Sequence, residues 1–210
     1  MKETHTKWLI AMELAGAILI LTLALLSIYR HTAKYGFARE VSQQEKDNRL
    51  EVVSAAEAWL GTLEGFAGHE QLVQLYNSHE PLAQGYELSV DDDWCAAFGS
   101  VIAFQTGNTD IIPTECGCER QIGLWQELGR WVEDDGYVPL PGDYIYYAWD
   151  EGWSFGDCTG WADHVGIVVG TAGPFIKVIE GNYDDQVKYR TILINNYQIR
   201  GFGLPDYASK

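Results

Sequence analysis

The chain has little positive charge: 14 Lys and Arg stand against 30 Asp and Glu, a formal net charge of −16 over 210 residues. The basic residues are also unevenly spread. Residues 1–39 hold five of them with only two Glu, which leaves residues 40–210 at −19. Nucleic-acid binders neutralise phosphates with Lys and Arg, so a domain this acidic argues against a nucleic-acid partner. Cysteine is sparse as well, at Cys95, Cys116, Cys118 and Cys158. None of these forms a Cys-x-x-Cys pair, and Cys116-Gly-Cys118 has no nearby His to complete a four-ligand zinc site. Neither a metal nor another cofactor is expected. The even count permits disulfides, for example Cys158 with Cys116 or Cys118, and equally permits free buried thiols. Internal repeats and low-complexity tracts are absent.

Long apolar runs are absent but for one. Residues 8–29, WLIAMELAGAILILTLALLSIY, contain eleven Leu or Ile. As a helix these 22 residues reach about 33 Å, against roughly 30 Å of bilayer hydrocarbon. Trp8 and Tyr29 stand where interfacial aromatics gather. Glu13 opposes insertion but lies close enough to the end to reach the interface. The run exceeds the 7–15 residues of a usual signal-peptide core and no clear Ala-x-Ala site follows it, which predicts a retained signal anchor over 1–30. Lys2 and Lys7 before the run and Arg30, Lys34 and Arg39 after it tilt the charge rule slightly toward a cytoplasmic domain. A polar juxtamembrane stem is expected over 31–49 and a folded domain over 50–210.

Within that domain helices come first. Apolar spacing predicts a helix from Val52, a second over His69 to Ser78, a third through WCAAFGSVIAFQ ending at Gly107, and a fourth over Glu119 to Trp131. After Pro141 the pattern turns to short β-rich runs at 144–149, 164–170, 175–181, 187–194 and 198–203, divided by Gly, Asp and Asn. Helices followed by an antiparallel meander define an α+β domain with segregated layers.

Three positions suit covalent chemistry. Cys95 opens an apolar helix, where a helix N-terminus favours a thiolate. Asp91, Asp92 and Asp93 precede it and push the other way, with one of them expected as the N-cap. A thiol nucleophile needs a general base oriented by a third group, and His164 is the sole histidine after Cys95. It begins the apolar strand HVGIVVG. A hairpin across TAGP sets the end of FIKVIE beside the start of that strand, so Glu180 or Asn182 is placed to hold the imidazole. On position alone a Cys at a helix start such as Cys95 is more often a packed small residue, and His164 reads evenly as a base or as a strand-edge cap.

The blocks WCAAF (94–98), PGDYIYY (141–147), DHVGIVVG (163–170) and VIEGN (178–182) resemble the signature blocks of CHAP domains. These are cysteine, histidine-dependent amidohydrolases/peptidases related to the NlpC-type cell-wall peptidases, and four blocks in order are more specific than any one. The resemblance covers about residues 50–208. It implies a papain-like core, Cys95 as nucleophile, His164 as base, Glu180 as the group orienting His164 and Asn182 as a supporting polar group. It also implies a bacterial peptidoglycan substrate cut at an amide bond, a stem-peptide bond or the muramoyl-alanine amide, and therefore a single-pass membrane protein with its domain outside the cell. Some phage members bind calcium through spaced acidic residues before the cysteine. Here Asp91, Asp92 and Asp93 are adjacent, so calcium does not carry over. Two other readings use the same residues: a phage-type lysis enzyme with a releasable anchor, and a non-catalytic wall-binding scaffold in a cell-envelope or conjugation assembly.

Overall fold

The computed structural model describes residues 16, 36–134, 136–149 and 159–210. Among these residues four helices precede and flank one sheet: α1 (Gln43–Glu57), α2 (Ala67–Asn77), α3 (Cys95–Gln105) and α4 (Cys118–Glu127). The strands are β1 (Trp131–Val132), β2 (Tyr144–Tyr147), β3 (His164–Ala172), β4 (Phe175–Glu180), β5 (Lys188–Leu193) and β6 (Ile199–Gly203). All neighbours pair antiparallel, in the order β1-β6-β2-β3-β4-β5. The β2–β5 part is the expected meander. β6 departs from it by returning across the sheet to lie between β1 and β2, and β1 takes Trp131 from the end predicted for the fourth helix.

The expected architecture is corrected in one part. It included a transmembrane helix, and no helix among the described residues is long and apolar enough to cross a membrane. The run 8–29 on which that expectation rested lies, apart from Gly16, outside the described residues. Among the described residues the fold is therefore α+β, built on a six-stranded antiparallel sheet with four helices.

Helix α3 occupies the centre. Every residue from Cys95 to Ala103 is buried, and an all-round apolar helix is stable only when packed on every side. One face of the sheet, with Tyr144, Tyr146, Val165, Ile167, Val169 and Ile179, shares its core with α3. The other face packs Ile145, Tyr147, Val168, Ile176, Val178 and Phe202 beneath Tyr137, Trp149 and Leu204. Strand alternation sends successive side chains to these two cores.

Helix α1 starts at Gln43, ahead of residue 50. Ser42 caps α1 by accepting from the Glu45 N–H at 3.1 Å. Arg49, within the stretch expected to be a stem, is buried against Asp143 at 2.8 Å.

Candidate active site

Cys95 is the first residue of α3, His164 the first of β3 and Glu180 the last of β4. Three element ends thus meet at one end of the sheet. His164 Nε2 lies 3.0 Å from Glu180 Oε2. His164 and Cys95 also act on each other electrostatically, the imidazole lowering the proton affinity of the thiol and the sulfur raising that of the imidazole. Cys95 is 5% exposed, His164 8% and Glu180 fully buried.

The register explains why Glu180 reaches His164. Ile167 pairs with Ile179 and Val168 with Val178, so Glu180 lies across from Gly166, on the face that alternation also gives to His164. A Cβ at position 166 would sit 2.7 Å from Glu180 Cγ and 2.5 Å from Val178 Cγ1. The absence of a side chain there leaves the path along which the carboxylate crosses to the imidazole.

Asn182 has a different partner. It sits just past β4 with φ +56°, and its amide donates to Asp93 Oδ1 at 2.9 Å. That bond ties the end of β4 to the segment leading into α3. None of the three aspartates caps the helix: Trp94 occupies the N-cap position and no side chain bonds the first turn. Asp92 instead accepts from the Ser89 N–H at 2.7 Å and the Tyr86 hydroxyl at 2.8 Å. Among the described residues no side chain takes up the first helical N–H groups beside Cys95.

Charge in the cluster is divided between sulfur and imidazole. The Cys95 thiol is pulled down to about 5 by a hydrogen bond from Cys118 and by His164 and the Val165 N–H, against the opposing effect of burial. His164 is pushed up to about 10: burial opposes this, and its bonds to Cys95 and Glu180 overcome it. Glu180 is held below the usual carboxylate value despite its burial, by His164 and Arg190. Between those limits the resting pair is thiolate and imidazolium.

Two contributors were not legible as site residues. Arg190 on β5 donates through Nε to both Glu180 oxygens, at 2.7 and 2.9 Å. Its guanidinium lies 3.7 Å over Tyr183 and 4.6 Å over Trp149. Val178–Arg190 pairing puts it on the Glu180 face, a placement that the alternation of VKYRTILI could have indicated. Cys118, the first residue of α4, brings its Sγ within 3.6 Å of Cys95 Sγ. Cys95, Cys116 and Cys118 are all free thiols, while Cys158 lies outside the described residues. Among the described residues no group of three or more His, Cys, Asp or Glu is arranged to hold a metal ion.

An aromatic wall closes one side. Tyr147 stacks on Trp149 at 4.5 Å and lies 6.0 Å from the His164 ring. Just before β3, Trp161 is 76% exposed, on a loop that α4 holds through the Glu119 carboxylate and the Ala162 N–H.

No protein-family model and no curated protein matches the chain. Among solved structures it is similar to "The crystal structure of Ly7917", at 15% identity and a TM-score of 0.41. The match covers 75% of this chain and 62% of that one, so the chain spans less than two-thirds of the length of Ly7917.

Proposed function

We propose that this chain is a cysteine amidohydrolase that cuts an amide bond in peptidoglycan, with Cys95 as nucleophile, His164 as base and acid, and Glu180 holding His164. One observation carries the reading: the buried His164 imidazole lies 3.0 Å from Glu180 Oε2 and lowers the proton affinity of the Cys95 thiol at the start of α3. Nucleophile, base and orienting group in series are what thiol acyl transfer requires. The four sequence blocks similar to CHAP domains supply the substrate class.

In this mechanism the Cys95 thiolate attacks the amide carbonyl carbon. A C–S bond forms and the carbonyl oxygen becomes an oxyanion facing the free N–H groups at the start of α3. The His164 imidazolium gives its proton to the amine nitrogen as the C–N bond breaks. Neutral His164 then takes a proton from water, whose oxygen attacks the thioester, and the thiolate leaves. Glu180 stays ionised and stabilises the imidazolium.

The test is digestion of purified peptidoglycan followed by mass spectrometry of the muropeptides, where new amino and carboxyl termini identify the bond. The wild-type chain should generate them and a folded Cys95→Ala chain should not. Equal release by the two chains overturns the reading.

A further inference from the structure

Hydrolysis as written above leaves one thiol unused. Cys118 and Cys95 are both free, and their sulfurs lie 3.6 Å apart, in contact. Each is the first residue of its helix, so the N-terminal turns of α3 and α4 converge on one sulfur pair. Free N–H groups and the positive dipole ends there favour sulfur anions. A proton-shedding thiol beside a second thiol is the arrangement in which oxidation stops at a disulfide. The remaining described cysteine has a different partner, because the Cys116 thiol donates to Glu115 Oε1 at 3.5 Å.

We propose that Cys95 and Cys118 form a site of reversible oxidation whose oxidant is a hydroperoxide. The Cys95 thiolate attacks one peroxide oxygen: an S–O bond forms, the O–O bond breaks, and the departing oxygen leaves with the proton of His164 as water or an alcohol. Cys95 is then a sulfenic acid. The Cys118 sulfur attacks it, an S–S bond forms, the S–O bond breaks, and the hydroxyl leaves as water with the Cys118 proton. One hydroperoxide is thereby reduced as two thiols are oxidised. Closing the pair to a bond of about 2.05 Å needs the sulfurs to approach by about 1.5 Å. The product removes the thiolate and fastens α3 to α4, and a reducing thiol reverses it by exchange.

This goes beyond the hydrolase reading and does not depend on it, since the readout is a covalent bond. The full chain is treated with hydrogen peroxide, its remaining thiols are capped by alkylation, and the protein is cleaved at Glu115 and mapped by mass spectrometry. The expected result is two fewer free thiols and a link between the peptides carrying Cys95 and Cys118, undone by dithiothreitol. A Cys116→Ser chain should form the same link. A Cys118→Ser chain should instead gain two or three oxygens on Cys95, which dithiothreitol does not remove. In the wild-type map, Cys95 oxidised to sulfinic or sulfonic acid with no link to the peptide carrying Cys118 overturns the proposal, as does a link from Cys95 to Cys158; a link that Cys116→Ser abolishes overturns it too.

Discussion

Arg190 and His164 share the Glu180 carboxylate: Arg190 Nε donates to both oxygens, at 2.7 and 2.9 Å, while Oε2 also meets the imidazole at 3.0 Å. A fully buried carboxylate would otherwise resist ionisation. Arg190 is thus a positioning residue, acting on the thiol only through Glu180 and His164. Arg190→Ala should lower amide cleavage by about 10–100-fold, the usual effect of losing a partner one shell out from the chemistry. It should also raise the pH at which the acid limb of the rate profile falls, because Glu180 protonates more readily. Arg190→Lys should restore part of both. An Arg190→Ala chain with lowered activity but the wild-type pH profile assigns Arg190 a packing role instead.

The proton affinities of Cys95 and His164 fix a pH window for stability. Unfolded, the two groups release protons at their ordinary values of 6.5 for the imidazole and 9.0 for the thiol. Folded, the pair releases one near 5 and the other near 10. The first step is depressed, so its contribution is full above pH 6.5 and is lost as pH falls through about 5. The second is raised, so its contribution is full below pH 9 and is lost as pH rises through about 10. Urea unfolding followed against pH should therefore show a plateau between those limits whose two edges are blunted in Cys95→Ala. Alkylation of Cys95 by iodoacetamide should be half-maximal near pH 5. A half-point near the ordinary thiol value would show that no ion pair forms.

Much of this site could be read from the chain because it depends on local pattern. The apolar run after Trp94 sets α3, and the hairpin across Thr171 to Pro174 sets the side-by-side ends of β3 and β4. Pattern alone left Glu180 and Asn182 as equal partners for His164. The choice falls to Glu180 because Gly166 opens its path, while Asn182 turns to Asp93. Cys118 was out of reach for another reason. It lies 23 residues from Cys95, and its position depends on how α4 docks, through Trp125 Nε1 donating to the Tyr146 hydroxyl and that hydroxyl to Gln121. Such side-chain pairings between elements leave no period in the sequence. The return of β6 beside β2 is likewise a long-range pairing that a run of alternating residues does not announce.

Gly181 makes the end of β4 sensitive to a single methyl group. A Cβ there would sit 2.6 Å from Phe98 Cβ and 2.9 Å from the Trp94 ring, both on the buried start of α3. The nearest of these atoms is the stem of its side chain, so no rotamer change removes the clash. Gly181→Ala should cost about 1–3 kcal/mol of stability by overpacking. It should also reduce cleavage beyond the loss of folded protein, because the shift falls on the neighbouring Glu180. An unchanged urea midpoint would mean that α3 and β4 separate more easily than their packing indicates.

Arg49 tests where the folded unit begins. Its Nη1 donates to Asp143 Oδ1 at 2.8 Å and to the Pro141 carbonyl at 3.0 Å, and its Nε donates to Glu45 at 2.8 Å. Asp143, whose side chain is fully buried, also accepts from the Tyr137 hydroxyl at 2.6 Å and the Leu140 N–H at 2.8 Å. Removing the guanidinium leaves that carboxylate buried beside no cation, so Arg49→Ala should cost about 3–5 kcal/mol. Arg49→Lys should recover part of it, since an ammonium keeps the charge but not the fork that binds Asp143, Pro141 and Glu45 together. Urea unfolding of the three chains measures the order directly. If Arg49→Ala unfolds at the wild-type midpoint, α1 is an appendage and the domain starts nearer residue 50; a loss of the stated size makes α1 part of the core that carries the site.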